Sequence, residues 1–421
     1  MTNESNQPRE YDAVLGGQAP PPITAAVLGG IEGVKHRLAS PLIEARIAAV
    51  NEALKYGDAG LDLVIKALQD ADRQVQRSAY FILRERTESQ IKQALREYKT
   101  WSLPERLEWY SDGRVNKFFN RKVEDFVPQM DITDPVGTAY ALRIDLWEEQ
   151  EVDDPDITIK LEPLLQEPKV SQIEALVFGM WDEYNRNSSI VVNALVAAKD
   201  KLKSLKAVFI GDIEFSEWMI SSIEQSDVSP ILKAYPNLEV LQIRGGTGLA
   251  FSPLQHDNLK AIVIETGGLR QETIAQISAL NLPELEHIEL WLGSRRYEGN
   301  SSVNDLMPIF SGKLFPMLSY LGLRNSEYSD DIARAVVNTP AIEFLKVLDL
   351  SMGTLTDAGA EVLLNCPAVD QLDILNVEDN FLSEAMIERL SKLNCQIISY
   401  NQKQEKEARD DRYKRYCSVS E

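Results

Sequence analysis

The chain has 421 residues, 44% of them hydrophobic, with 44 basic against 65 acidic side chains and three cysteines. No run of about 18 apolar residues occurs, and the opening Met1 to Glu10 lacks the basic start and apolar core of a signal peptide, so neither a membrane span nor an export signal is expected. A net charge of −21 repels phosphate backbones and argues against nucleic acid as the partner, while Cys366, Cys395 and Cys417, odd in number and without metal spacing, suggest reduced thiols in a cytoplasmic protein.

In residues 1–30, Ala13-Val14-Leu15-Gly16-Gly17 is echoed by Ala26-Val27-Leu28-Gly29-Gly30 across Pro20, Pro21 and Pro22. Neither glycine pair is followed by Lys-Ser/Thr or preceded by a strand, so a flexible leader is expected rather than a phosphate loop. From 31 to 99 the apolar period becomes helical. Pro41 to Tyr56, Leu61 to Gln69 and Arg73 to Arg86 each carry apolar residues at i, i+3, i+4 and i+7, broken by Gly57-Asp58-Ala59-Gly60 and Asp70-Ala71-Asp72. Ala45-Arg46-Ile47-Ala48 aligns with Gln76-Arg77-Ser78-Ala79 at an offset of 31, with the Arg and the following Ala in register, and the segment looks like a short HEAT-like helical array. With its leader this segment resembles a module found at the front of varied cyanobacterial proteins. It carries 12 basic and 10 acidic residues, whereas 100–400 carries 25 and 47, so the acidic excess belongs to the second part of the chain.

Residues 100–136 form a join. Pro104, Gly113, Pro128 and Pro135 interrupt a segment too rich in large rings (Trp109, Tyr110, Phe118, Phe119, Phe126) for a flexible linker, which predicts a cap on whatever follows. Thr138 to Leu146 alternates as a strand. Glu148, Glu149, Glu151, Asp153, Asp154 and Asp156 then crowd one short run that lacks the alternating ligands and turn glycine of a calcium loop, and a solvated acidic loop is expected.

The dominant pattern begins at Ile173. An apolar residue followed by two more at +3 and +5 recurs eight times: Ile173/Leu176/Phe178, Leu205/Val208/Ile210, Leu238/Leu241/Ile243, Leu259/Ile262/Ile264, Leu285/Ile288/Leu290, Leu318/Leu321/Leu323, Leu345/Leu348/Leu350 and Leu372/Leu375/Val377. This is L-x-x-L-x-L, the strand phrase of a leucine-rich repeat, and its steps of 32, 33, 21, 26, 33, 27 and 27 residues leave room for a helical return. Gln271 to Leu280, Val303 to Phe310, Asp331 to Asn338 and Asp357 to Leu364 supply such returns. The fold class expected is therefore α/β: a leucine-rich-repeat solenoid over 137–400, a curved parallel sheet lined by helices, preceded by a small all-α HEAT-like segment. Cys395 to Tyr400 adds a last strand, and 401–421, with few aliphatics, reads as a frayed charged helix or disordered tail.

Ile264-Glu265-Thr266-Gly267-Gly268-Leu269, Glu289-Leu290-Trp291-Leu292-Gly293, Leu321-Gly322-Leu323-Arg324-Asn325-Ser326-Glu327 and the run from Leu348 to Glu361 resemble a bacterial leucine-rich-repeat family of unassigned function, ribonuclease-inhibitor-like in repeat style, over roughly 118–390. The resemblance implies a curved α/β solenoid and does not imply catalysis; a scaffold role beside an enzyme such as a radical-SAM protein is one inference from it. The chain departs from it at the ninth repeat position, where Gly246, Gly267, Gly293, Ser326 and Gly353 replace the usual Asn or Cys and only Asn380 conforms.

Side chains alternate along a strand, so with +3 and +5 inward, +4 and +6 line the opposite, concave face. There Arg244, Glu265, Glu289, Trp291, Arg324 and Asp349 set an aromatic ring among both signs of charge, the residue types enriched at interface hot spots. Their competing reading is mutual neutralisation across strands, with Trp291 covered by a loop. The function expected is a non-catalytic protein-protein interaction scaffold or regulatory subunit without cofactor or metal. The alternatives are an enzyme with a site near His287, paired with Glu289, or a structural member of a larger assembly. Of the other histidines, His36 falls in the helical front and His256 in a loop.

Overall fold

A computed structural model of the chain describes residues 30–83, 113–128, 131–144, 155–407 apart from 183 and 185, and 414–419, with single positions between 86 and 94. The leader over 1–29, the first part of the join and the acidic run over 145–154 lie outside the described residues. Internal packing divides the chain into two units, 1–100 and 101–421.

The first unit is helical, with α1 (Gly30–Leu38), α2 (Ile43–Ala53), α3 (Gly57–Ala67) and α4 (Arg73–Leu83). Its core is the apolar stripe that the 3.6-residue period predicts: Val34, Ala49, Val50, Leu61, Val64, Leu68, Val75, Ala79 and Leu83 are all buried. One expectation is corrected here. Gly57-Asp58-Ala59-Gly60 is not a break, because only Gly57, at φ +61°, turns the chain, and Gly60 lies inside α3. A Cβ on Gly60 would sit 1.8 Å from the Ala53 carbonyl, so this glycine allows α3 to approach α2 closely.

Among its described residues the second unit is one twelve-stranded sheet whose strands lie side by side in sequence order. A hairpin of β1 (Lys117–Phe118) and β2 (Arg121–Asp125) leads, and β2 pairs in parallel with β3 (Thr138–Leu142). Then follow β4 (Ala175–Phe178), β5 (Ala207–Ile210), β6 (Val240–Arg244), β7 (Ala261–Glu265), β8 (His287–Gly293), β9 (Tyr320–Ser326), β10 (Val347–Asp349), β11 (Ile374–Asn376) and β12 (Gln396–Ile398), every neighbour pair parallel. Sequential parallel order requires each connection to return along the same side. Helices at Thr158–Leu164, Ser189–Ala198, Ser229–Ala234, Gln271–Ser278, Ser329–Val336, Asp357–Leu364 and Glu384–Leu390, with short 3₁₀ turns, make those returns. The register is in phase with the sequence pattern: Leu241 lies beside Ile262, Ile262 beside Ile288, Ile288 beside Leu321 and Leu321 beside Leu348. Every +3 and +5 residue is buried in a single core that the return helices close with residues such as Leu195, Ile274, Ile277, Ile332 and Leu363.

The start of each turn is fixed by backbone chemistry. The Glu174 carbonyl accepts the amides of Lys206 and Ala207 at 2.8 and 3.0 Å, the Lys206 carbonyl accepts those of Glu239 and Val240, and the same double acceptance repeats at Glu239, Lys260, Glu286, Ser319 and Lys346. Their side chains form a ladder of mostly alternating charge, with Lys206 Nζ 2.7 Å from Glu174 and Lys260 Nζ 2.8 Å from Glu239. The missing ninth-position asparagines also have a physical reason. Asn380, fully buried, donates to the carbonyls of Leu350, Val377 and Glu378 and accepts the Leu355 amide. One repeat earlier a glycine stands in that place, and a Cβ on Gly353 would lie 2.2 Å from Ser329 Oγ. That hydroxyl donates to the Ser326 carbonyl and accepts the Thr354 amide, doing the amide's work from the neighbouring helix.

Residues 401–407 and 414–419 correct the expectation of a frayed or disordered tail. Lys403 Nζ donates to the Gly353 and Tyr416 carbonyls at 2.8 and 2.9 Å, and Val419 is buried. Lys403 is used as a donor to backbone carbonyls, which composition alone does not reveal.

Candidate functional site

The face of the sheet away from the return helices is built from the +2, +4 and +6 positions, and it changes character along its length. At β3 to β7 it is apolar and small: Ala139, Ala141, Ala175, Val177, Ala207, Phe209, Val240 and Ala261 pack with Val115 and Phe118 of the leading segment. That segment is held by charge. Asp212, fully buried, accepts the Val115 amide at 3.0 Å, and Arg244 donates to the Gly113 carbonyl at 2.9 Å.

From β6 onward the face is polar, and all six residues singled out from the sequence lie on it. The expectation that they stand open is corrected: each is at most 4% exposed. Arg244 Nε donates to Glu265 at 2.8 Å, and Gln242 donates to the other Glu265 oxygen at 2.6 Å. Glu289 accepts from Trp291 Nε1 and from Arg324 Nη1, both at 2.7 Å. Arg324 also donates to Ser351 Oγ, lies 3.6 Å from Asp349 and stacks over the Trp291 ring at 5.3 Å. Asp349 accepts Tyr320 OH at 2.9 Å and Asn376 Nδ2 at 3.0 Å. Mutual neutralisation across strands is therefore what the register brings about. Strands about 4.8 Å apart put consecutive +4 and +6 side chains within hydrogen-bond reach.

The electrostatics differ between the two carboxylates. Burial alone would push Glu289 up, but the adjacent Arg324 guanidinium outweighs it, with help from His287 and Trp291, and holds the carboxyl at about 2. At Glu265 burial prevails over Arg244, and Glu289 adds repulsion, so its carboxyl is raised. Burial, then Asp349 and Glu289, drives the Tyr320 phenol well above its ordinary range.

His256 and His287 serve packing, whereas His36 is exposed. His256 is buried with Nε2 3.1 Å from the Tyr235 carbonyl. His287 stacks flat on Tyr320, ring centres 4.0 Å apart, with Nε2 3.7 Å from Glu289. It is buried, which withholds it from a substrate. Among the described residues no cluster of His, Cys, Asp or Glu could hold a metal ion, and no helix is long and apolar enough to cross a membrane.

Sequence reasoning missed what covers the second half of this face. Val419 packs with Ile220, Trp291 and Met352. Asn325, at +7 of its repeat and fully buried, grips the Val419 backbone twice: Oδ1 accepts its amide at 2.9 Å and Nδ2 donates to its carbonyl at 2.5 Å. The Met352 carbonyl accepts the Ser418 amide at 2.8 Å, and Cys417 Sγ lies 3.7 Å from the Gly293 carbonyl. The one signal in the sequence was the apolar Cys417 and Val419 set in an otherwise charged stretch.

Compared with solved structures, the chain is similar to a Bacteroides fragilis protein seen in a crystal structure, at 30% identity and a TM-score of 0.59 over 63% of this chain and 75% of that one. An internalin from Listeria monocytogenes matches at 13% identity and a TM-score of 0.31 over 58% of each chain. No protein-family model matches the chain, and no curated protein matches it.

Proposed function

We propose that this chain, which belongs to one family with the Bacteroides fragilis protein, is a protein-interaction module of the leucine-rich-repeat kind, a scaffold or regulatory subunit that binds protein on the sheet face opposite its helices. The observation that carries this reading is that the face already holds polypeptide in two places, 113–118 over its apolar half and 416–419 over its polar half. Both are bound by backbone hydrogen bonds to buried side chains together with apolar contact, the combination that recognises extended segments. Trp291 and Arg324 make the floor. Glu289 and Asp349 fix that floor's geometry, while Arg244, braced by Glu265, holds the 113–118 segment, and through these roles they belong to the partner-binding set.

At the rim, Tyr184 and Met219 are exposed large apolar side chains on the loops that follow β4 and β5, which suits a partner that extends past the face. Catalysis near His287 is disfavoured because the imidazole is buried under Tyr320. The helical unit, near neutral against the acidic remainder, serves as an attachment module, and three cysteines in no disulfide suit a cytoplasmic setting.

A photocrosslinking amino acid at Glu378, on the face, and at Lys392, on the helix side, tests this in native lysate, followed by titration of the captured protein in purified form. One stoichiometric partner captured from Glu378 alone, and bound in the titration, is expected. Capture from Lys392 alone, or turnover of a small molecule with no capture, overturns it.

A further inference from the structure

We propose that the seat formed by Ile220, Trp291, Asn325 and Met352 is a recognition site for an extended peptide, occupied in cis by 416–419, and that a partner protein engages it by presenting a segment of the same kind, a small or hydroxyl residue followed by a branched aliphatic, in place of this one. This rests on the interaction-module reading and names the partner's chemistry and what controls access to it.

Three features of the seat are those of a reader rather than of a core. First, Asn325 offers a primary amide to both the N–H and the C=O of a single residue, and this pairing depends on backbone, not on side chain. With the Met352 carbonyl accepting the preceding amide, that of Ser418, the seat forms a short stretch of strand-like pairing that any extended peptide can make. Second, one side chain, Val419, enters a pocket walled by Ile220, Trp291 and Met352, so selectivity falls on a branched aliphatic at one position. Third, that floor is fixed independently of its occupant. Trp291 Nε1 is bonded to Glu289, and Arg324 is held by Glu289 and Ser351 while donating to Met352 Sδ at 3.0 Å. Neighbouring groups complete the site: Lys403 Nζ reaches Ser418 Oγ at 3.1 Å, and Tyr416 meets the Phe381 ring edge-on at 5.6 Å. The left-handed backbone of Asn325 and Met352 recurs at the same repeat position in Gly245 and Asp379, away from the peptide, so it is not strain reserved for the peptide.

A cis segment on a short tether acts at an effective concentration in the millimolar range. A free peptide with a dissociation constant of about 0.1 mM for the empty seat would then be held off about tenfold in the full chain. Access to the face is thereby set by how readily 416–419 releases.

The probe is a fluorescein-labelled peptide of residues 412–421, read by polarisation against the full chain and against a chain ending at residue 407. Binding to the shortened chain, at least about tenfold weaker binding to the full chain, and none by the peptide carrying Val419→Asp are expected. A shortened chain that melts cooperatively yet does not bind, or equal binding to both chains, overturns the proposal. Should the shortened chain not fold, the full chain with Cys366→Ser and Cys395→Ser reports through its remaining thiol. Burial holds Cys417 out of reach of thiol reagents and pushes its thiol up to about 12. Asn325→Ala removes both hydrogen bonds to Val419 and should speed Cys417 labelling about tenfold at temperatures well below the variant's own melting midpoint. Labelling that occurs only with global unfolding overturns the proposal, as does protection that depends on protein concentration, which would place a second copy's segment in the seat. Failure of the peptide arms with successful crosslinking from Glu378 removes this seat and leaves the interaction-module reading intact.

Discussion

Replacing Glu289 by Gln removes one charge from the buried network without changing its shape. In the folded chain Glu289 accepts from Trp291 and Arg324, both at 2.7 Å, and its carboxyl is held at about 2 against an ordinary 4.5. At 1.36 kcal/mol per unit that difference corresponds to about 3 kcal/mol of folded-state preference for the ionised form. This agrees with the roughly 3–5 kcal/mol expected when one partner of a buried pair is removed. Because the folded value lies below the unfolded one, this stability is fully present above about pH 4.5 and is lost as pH falls toward 2; about 1 kcal/mol has gone by pH 3.5. Urea unfolding at pH 7 and pH 3.5 should therefore give a gap between wild type and Glu289→Gln of about 3 kcal/mol that narrows to about 2. Glu265→Gln should cost less, since burial raises that carboxyl and its ionisation disfavours the fold at neutral pH. A gap below about 1 kcal/mol at pH 7, or one that does not narrow, refutes the claim that Arg324 outweighs burial at Glu289.

Leu321→Asp puts an unpaired carboxylate into the stacked core between Ile288 and Leu348 and should unfold the sheet unit by circular dichroism at room temperature, a loss of several kcal/mol. Asn380→Ala leaves the Leu350 carbonyl and the Leu355 amide without their partner and should lower stability by about 2–3 kcal/mol in chemical denaturation, with Asn380→Asp no rescue because an ionised carboxylate has no donor. Lys260→Glu sets like charge beside Glu239 and should cost at most about 1 kcal/mol, since the pair is partly exposed, shrinking further in 1 M salt. A fragment of residues 113–421 should melt as one cooperative transition, because the segment from Gly113 is bonded into the sheet; a molten profile would show that the unit needs the preceding helices.

The inward half of the fold was legible because it obeys a local rule. Leu321, Leu323 and their equivalents in the other repeats are buried for the same reason that they recur: a strand presents alternate residues to one face. The outer face was only half legible. Arg244, Glu289 and Arg324 were placed on it correctly, yet their burial depended on chain segments far away in sequence. Gly113 reaches Arg244 across 131 residues and Val419 reaches Asn325 across 94, and no periodicity encodes such contacts. The tail misled for a further reason. Lys403 is charged, but it spends its protons on backbone carbonyls, and net composition scores it as solvated.

The edge where each turn begins runs Glu174, Lys206, Glu239, Lys260, Glu286, Ser319, Lys346, Asp373, with successive residues joined backbone to backbone. Alternating sign gives the coil a parity. If a folding chain skipped one turn, Glu174 would meet Glu239 and Lys206 would meet Lys260, so the edge itself penalises a frame error that the interchangeable leucines behind it would tolerate. Ser319 is the one uncharged step, and beyond it the alternation restarts in the opposite phase. Cutting or splicing this coil should therefore be easier in pairs of turns on either side of Ser319 than in single turns, each like-charge pair costing up to about 1 kcal/mol, which makes that serine the natural seam at which a shorter or longer relative could be built.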